Sequence, residues 1–204
     1  MKMRKVLSAL LVAACTLSLA ACGSSSSKNE TTGASGETAA GSANTAKVID
    51  VDLTSEEYAF GVDKTQPELL EQTNTFIQKI KDDGTLDAIC AKYFGDGEPE
   101  AVESAELDSS KDQLVVATNA AFEPFEYTKG DQYYGIDMEI AKLLADELGK
   151  ELVIQNMDFD AVCLSVSQQK CDIAMAGLTI NEERQEYVTF TDSYYQATQR
   201  LIVP

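Results

Sequence analysis

The chain has 204 residues, 44% hydrophobic and 25% charged, enough for one medium-sized domain with a genuine core plus a leader and connecting segments. Its formal net charge is −18, which sets the surface against phosphate-backed partners, so no nucleic-acid partner is expected. It contains no histidine, which removes the commonest metal ligand and the usual general base, so no metal site and no histidine-based catalysis is expected, and no other catalytic residue and no cofactor is assigned.

In chain order, MKMRK is a positively charged opening and VLSALLVAACTLSLA an apolar run ending in small residues. Residues 1–21 therefore read as a secretory signal, too short and wrongly flanked for a membrane span. The junction Leu19-Ala20-Ala21-Cys22 resembles the lipobox of bacterial lipoproteins, which implies cleavage before Cys22 and acylation of that residue. Plain secretion with an incidental cysteine is the alternative. Residues 22–47 are rich in Gly, Ser, Thr and Ala and read as a flexible tether. Anchor and tether together place the folded part on the extracytoplasmic face of the membrane. Of the five cysteines, Cys90, Cys163 and Cys171 remain beyond the lipobox, with no CxxC and no zinc spacing. A Cys163–Cys171 disulfide is conceivable; three small buried thiols are the expectation.

Residues 48–96 form a first block. EYAFGV (Glu57–Val62) reads as a strand. Pro67 suits the first turn of a helix, and Leu69, Thr73, Phe76, Ile77 and Ile80 follow at helical spacing until Gly84 ends the run. A shorter helix places Leu86, Ile89, Cys90 and Tyr93 on one face, with Thr85 as its cap. One strand and two amphipathic helices cannot close a core, so the block needs a partner. Residues 97–112 are acidic and poor in large apolar residues, an exposed linker in which VESAEL can form a helical turn.

From residue 113 onward strands and helices alternate. QLVVAT is a strand; Ile136, Ile140, Leu143, Leu144 and Leu148 mark a helix face capped by Asp137. ELVIQ is a strand, DFDAVCLSVSQQK a helix, CDIAMAG a buried strand, NEERQEY a helical turn and TQRLIV a last strand. Such βαβ alternation predicts an α/β fold, a mixed but mostly parallel sheet with helices on both faces.

ATNAAFEPFEY, YGIDMEIAKLLADELG, MDFDAVCLSV, CDIAMAGLTINEER and FTDSYY follow one another as in polar amino-acid solute-binding proteins of ABC importers, and the resemblance, nearest to the glutamine binders, covers Gln113–Pro204. EEYAFGVDKTQPELLEQTNTFIQKIKDDGTLDAICAKYFG resembles the C-terminal end of the same proteins, although here it comes first. The resemblance implies a single lobe of a type 2 periplasmic-binding-protein fold, circularly permuted, with 48–96 completing lobe 1 and lobe 2 absent. The alternative is that 48–96 is an undocked appendage. It also implies a polar L-amino acid as ligand and an ABC permease as partner.

For the site, the resemblance implies that Arg184 pairs with the ligand carboxylate. Thr179 adds its hydroxyl and N–H, and the Gly177 carbonyl accepts from the ammonium. Phe122 and Phe159 sandwich the ligand side chain. Asn119 stands where the glutamine binders carry an acid, and an amide reads either an amide or a carboxylate. The competing readings are a surface ion pair between Arg184 and Glu182, Glu183 or Glu186, and core packing for the two phenylalanines. At the level of function, the alternatives are a non-transport module that senses ligand or contacts a permease, and an enzyme on this scaffold. For the latter neither a histidine nor a paired-carboxylate constellation is evident.

Overall fold

The computed structural model describes residues 47–203; the signal segment and Cys22 lie outside the described residues. The first segment contributes β1 (Lys47–Val48), β2 (Glu56–Tyr58), β3 (Gly61–Asp63), α1 (Pro67–Asp82) and α2 (Thr85–Phe94). The second opens with β4 (Gln113–Thr118), a small three-stranded sheet of β5 (Ala121–Phe122), β6 (Glu126–Lys129) and β7 (Gln132–Tyr134), then α3 (Ile136–Leu148) and β8 (Glu151–Asn156). It continues with α4 (Phe159–Ser167), β9 (Ile173–Ala174), α5 (Glu182–Gln185), β10 (Val188–Phe190), β11 (Tyr195–Ala197) and β12 (Ile202–Val203).

Five strands build the central sheet in the order β10-β3-β9-β4-β8. β4 runs parallel to both β8 and β9, and only β3 runs against its neighbours. Side-chain alternation divides the core in two. Leu114, Val116, Leu152, Ile154 and Ile173 face α1, α2 and α3, while Ala117, Ala174 and Val188 face the buried Val162, Cys163 and Val166 of α4. This is the mostly parallel α/β sheet with helices on both faces that the βαβ alternation predicts.

β3, from residues 61–63, lies in the interior of that sheet, with Gly61 opposite Ala174 on one side and Val188 opposite Asp63 on the other. α1 has Pro67 in its first turn and buries Leu69, Thr73, Phe76, Ile77 and Ile80, the positions its helical spacing marks.

Several local expectations need correction. EYAFGV is not one strand but two, β2 and β3 in different sheets. The chain breaks at Ala59 and Phe60, whose N–H groups leave the ladder for the Leu178 carbonyl and the Thr191 hydroxyl. TQRLIV is mostly irregular: β11 ends just before it, and within it Ile202 and Val203 form β12, which pairs with β1, where Lys47, read as tether, is already opposite Val203. VESAEL is extended rather than helical. It lies along the exposed edge of β8, donating from Ala105 N to Leu152 O (2.8 Å) and accepting from Ile154 N at Ser104 Oγ (2.8 Å), with Val102 buried. Covering an edge strand this way blocks its unpaired groups from a further chain. Thr85 is the first residue of α2 rather than its cap; Gly84 precedes it at φ +81° and Asp83 Oδ1 accepts its N–H at 2.9 Å. Leu143 is exposed, because the buried face of α3 runs through Met138, Ala141 and Ala145 instead. Asp137 does not cap α3. Gly135 holds that place, where a Cβ would come within 2.0 Å of the Phe125 carbonyl oxygen, and Asp137 is fully buried in the first turn. Cys90, Cys163 and Cys171 are free thiols as expected, but only Cys163 and Cys171 are buried and Cys90 is half-buried.

Candidate binding site

The parallel strands β4, β8 and β9 end on one edge of the sheet, and the residues just beyond them wall a cleft of about 300 Å³. Its lining is Tyr58, Asn119, Ala121, Phe122, Glu126, Phe159, Ala176 and Gly177. A crevice outside the carboxyl ends of parallel strands is the general ligand position of open α/β sheets.

Four of the six residues singled out from sequence meet in this cleft: Asn119, Phe122, Phe159 and Gly177. Phe122 stacks on the buried Phe125 with centroids 5.5 Å apart, and Phe125 in turn meets Tyr58 edge-on at 5.1 Å. Gly177 sits at φ +51°, and a Cβ there would lie 3.0 Å from the Phe122 ring, so glycine keeps both the turn and the ring in place. The Asn119 side-chain amide donates to the Met157 carbonyl at 2.7 Å, which leaves its Oδ1 as an acceptor and its second N–H as a donor to offer.

Arg184 and Thr179 stand beside the cleft rather than in its lining. Asn181 caps α5 by accepting the Arg184 N–H at 2.8 Å, which fixes where the side chain starts. The guanidinium then lies 5.0 Å from the centroid of the Phe159 ring and donates from Nη1 to the Thr179 carbonyl at 2.8 Å. Phe159 is thus the wall shared by the cleft and by the neighbouring hollow that Arg184 lines. Among the described residues Arg184 forms no ion pair with Glu182, Glu183 or Glu186. The Thr179 hydroxyl donates to Glu56 at 2.9 Å, a bond that, ahead of those from Thr54 and Gln199, draws the Glu56 carboxyl below its ordinary range.

Two acids under the cleft escape sequence reading. Glu126 opens β6 directly after Phe125, is only 1% exposed, and its Oε2 has no hydrogen-bond partner among the described residues. Asp137, fully buried, accepts from the Gly177 N–H at 2.8 Å and from the Tyr194 hydroxyl. Burial raises both carboxyls, and Asp137 raises Glu126 further. A paired-carboxylate constellation therefore exists, although none was evident in the sequence; nothing in residue order links positions 126 and 137. Tyr58 and Glu56 also reach the site from the first segment, through the Tyr58–Thr179 bridge and the Ile180 N–H donated to the Glu57 carbonyl at 3.1 Å.

Residues 114–204 match bacterial extracellular solute-binding proteins, family 3. The chain is also similar to the arginine-binding extracellular protein ArtP of Bacillus subtilis (strain 168), 37% identical over 95 residues, covering 47% of this chain and 37% of ArtP. The histidine-binding periplasmic protein of Escherichia coli (strain K12) is 32% identical over 91 residues, 44% of this chain and 35% of that protein. A cyclohexadienyl dehydratase of Pseudomonas aeruginosa is 37% identical over 82 residues, 40% of this chain and 31% of the enzyme. Among solved structures, the arginine-bound form of domain 1 from TmArgBP is 34% identical with a TM-score of 0.41, covering 46% of this chain and 83% of that one. The chain spans about a third of the length of the curated relatives it matches.

Proposed function

We propose that the chain is an extracytoplasmic solute-binding protein, or one lobe of such a protein, that holds a polar L-amino acid for an ABC importer and is anchored through a lipid on Cys22. In this reading residues 48–96 are the family's closing segment placed first, a circular permutation that completes lobe 1. The carrying observation is the cleft at the strand ends, where two aromatic walls, Phe122 and Phe159, flank Asn119 and Gly177. A ligand side chain lies between the walls, its carboxylate reaches Arg184 past the edge of Phe159, and its ammonium is held by the Gly177 carbonyl, with Thr179 beside it. The family match over residues 114–204 and the similarity to arginine- and histidine-binding relatives support the class of ligand. Phe122 and Phe159 are 42% and 38% exposed, so a ligand between them keeps contact with water and its polar contacts compete with solvent. Binding by the chain alone is accordingly weak, toward the millimolar range.

Chemical-shift titration with L-arginine, L-histidine, L-glutamine and L-glutamate tests this. Arg184→Ala removes a charge-assisted bond worth on the order of 1.5–3 kcal/mol and weakens binding at least tenfold. If no L-amino acid moves resonances near Phe122, Phe159 and Arg184 at tens of millimolar, the binding reading fails. Turnover of a prephenate-like substrate would instead favour the activity named for the Pseudomonas relative.

A further inference from the structure

Glu56 is a half-buried acid of β2 whose carboxylate is fixed against the 177–180 loop. Its Oε2 accepts from the Thr179 hydroxyl at 2.9 Å, and its Oε1 accepts from the Thr54 hydroxyl at 3.0 Å and from Gln199 Nε2 at 2.6 Å. The Thr179 bond first, then those from Thr54 and Gln199 and the nearby Arg184 charge, outweigh burial and keep this carboxyl below its ordinary range, so it is charged at neutral pH. Thr179 holds Arg184 as well, its carbonyl accepting from Nη1 at 2.8 Å. Yet among the described residues neither Glu56 nor Arg184 forms an ion pair. Thr179 thus stands between an anion and a cation that do not neutralise each other by contact.

Such an arrangement sorts the two ends of a zwitterion. A hydroxyl has one hydrogen and two lone pairs, and the Thr179 hydrogen is spent on Glu56. What Thr179 Oγ1 can still offer is a lone pair, which suits an ammonium and not a carboxylate. The Glu56 charge behind it attracts the first and repels the second, and Arg184 does the reverse. Glu56 is set in this place by the first segment: β2 pairs with β11, Glu56 opposite Ala197, and Tyr58 bridges to Thr179. The rival account makes Glu56 an internal substitute for the ligand carboxylate. A substitute of that kind would pair with Arg184, which Glu56 does not.

We propose that Glu56 is a positioning residue of this site. Acting through the Thr179 hydroxyl, it selects ligands with a free ammonium and sets the direction of the bound head, ammonium toward residue 56 and carboxylate toward Arg184. The inference rests on the amino-acid-binding reading above and deepens it, since the counter-charge to the ammonium comes from the first segment of the same chain. Glu56 touches the ligand through Thr179 rather than directly, and it is partly open to solvent, so its effect is that of a screened charge.

Three probes separate the ends of the head: L-arginine, agmatine, which keeps the ammonium and lacks the carboxylate, and δ-guanidinovalerate, which keeps the carboxylate and lacks the ammonium. Affinities are read by chemical-shift titration at neutral pH. Glu56→Gln keeps the size of the side chain and an acceptor for Thr179 but removes the charge. It should weaken L-arginine and agmatine about threefold to fivefold and leave δ-guanidinovalerate unchanged or tighter. Thr179→Val removes the lone pair and should weaken the same two probes by about fivefold to tenfold, and Thr179→Ser should restore them to within about twofold. Should Glu56→Gln fail to fold, the valine and serine pair decides with the same probes. Equal loss of all three probes makes Glu56 a mere support of the loop, tighter L-arginine makes it a competitor of the ligand carboxylate, and no change makes it idle. Each of these overturns the inference and leaves the amino-acid site standing, because wild type still binds L-arginine. If L-arginine fails and another L-amino acid binds, that acid and its decarboxylated and deaminated forms replace the three probes. If no amino acid binds the wild-type chain, the parent reading falls and this one with it.

Discussion

Ile77→Ala measures how firmly the first segment is built into the domain. Ile77 is 1% exposed in the middle of α1, in the same cluster as Leu114, Ile140 and Leu144 of the second segment. Truncation removes buried carbons and leaves a cavity that a packed core only partly closes, a loss of about 2–5 kcal/mol. Domains are stable by about 5–15 kcal/mol, so this is a large fraction of the whole. At an m-value of about 2 kcal/mol/M the urea midpoint should fall by roughly 1–2.5 M, and at this size the melting temperature by roughly 4–20 °C. Glu71→Ala, on the exposed face of the same helix, is the control and should stay within about 0.5 kcal/mol. If the two variants unfold alike, α1 is not part of the cooperative unit. A chain beginning at Gln113 carries the same argument further: it lacks β3, leaves β9 and β10 without their shared neighbour, and should not melt cooperatively.

Gly177→Ala puts a methyl group 3.0 Å from the Phe122 ring at a backbone angle of φ +51°, so the ring must move; L-arginine affinity should drop about tenfold, and unchanged affinity would count against the cleft as the ligand site. Folded-state carboxyls raised by burial give stability that is complete below their ordinary range and is lost as pH climbs, so stability should fall between about pH 5 and pH 8 by on the order of 1 kcal/mol per unit. Glu126→Gln should flatten that slope in urea melts at three pH values; parallel slopes would refute the assignment. Cys22→Ser should move the protein from the membrane fraction to the soluble one or leave it unprocessed, and identical fractionation and mass for both forms would dismiss the lipid anchor.

Much of the architecture was readable because burial follows period. The α1 stripe is five residues at helical spacing, and the buried set is the same five. QLVVAT and ELVIQ are short apolar runs and form the parallel pair β4 and β8. Asn119, Phe122, Phe159 and Gly177 were named through the resemblance to amino-acid solute-binding proteins, and the structure gathers all four in one cleft beyond the ends of the parallel strands. What stayed hidden depends on contacts distant in sequence. An acid at the start of a helix looks like a cap, and only the close approach of Gly135 to Phe125 and of Gly177 to Asp137 turns it inward. The acidic run 97–112 looks solvated throughout, yet Val102 and Ser104 find partners on β7 and β8 that composition cannot reveal.

The position of β3 ties the candidate site to the first segment. The loop at 177–180 carries Gly177 and Thr179, and its layout is fixed from residues 56–59: the Ala59 N–H donates to the Leu178 carbonyl at 3.1 Å, and the Ile180 N–H to the Glu57 carbonyl at 3.1 Å. Glu56 takes the Thr179 hydroxyl at 2.9 Å, and Tyr58 forms part of the cleft wall. These bonds join residues more than a hundred positions apart, so their loop-closure entropy is recovered only when the whole sheet assembles. A loop shaped this way cannot be preorganised by residues 113–203 alone. Damage to the packing of α1 and β3 should therefore reach the cleft through the 56–59 strand, even though no residue of α1 touches it.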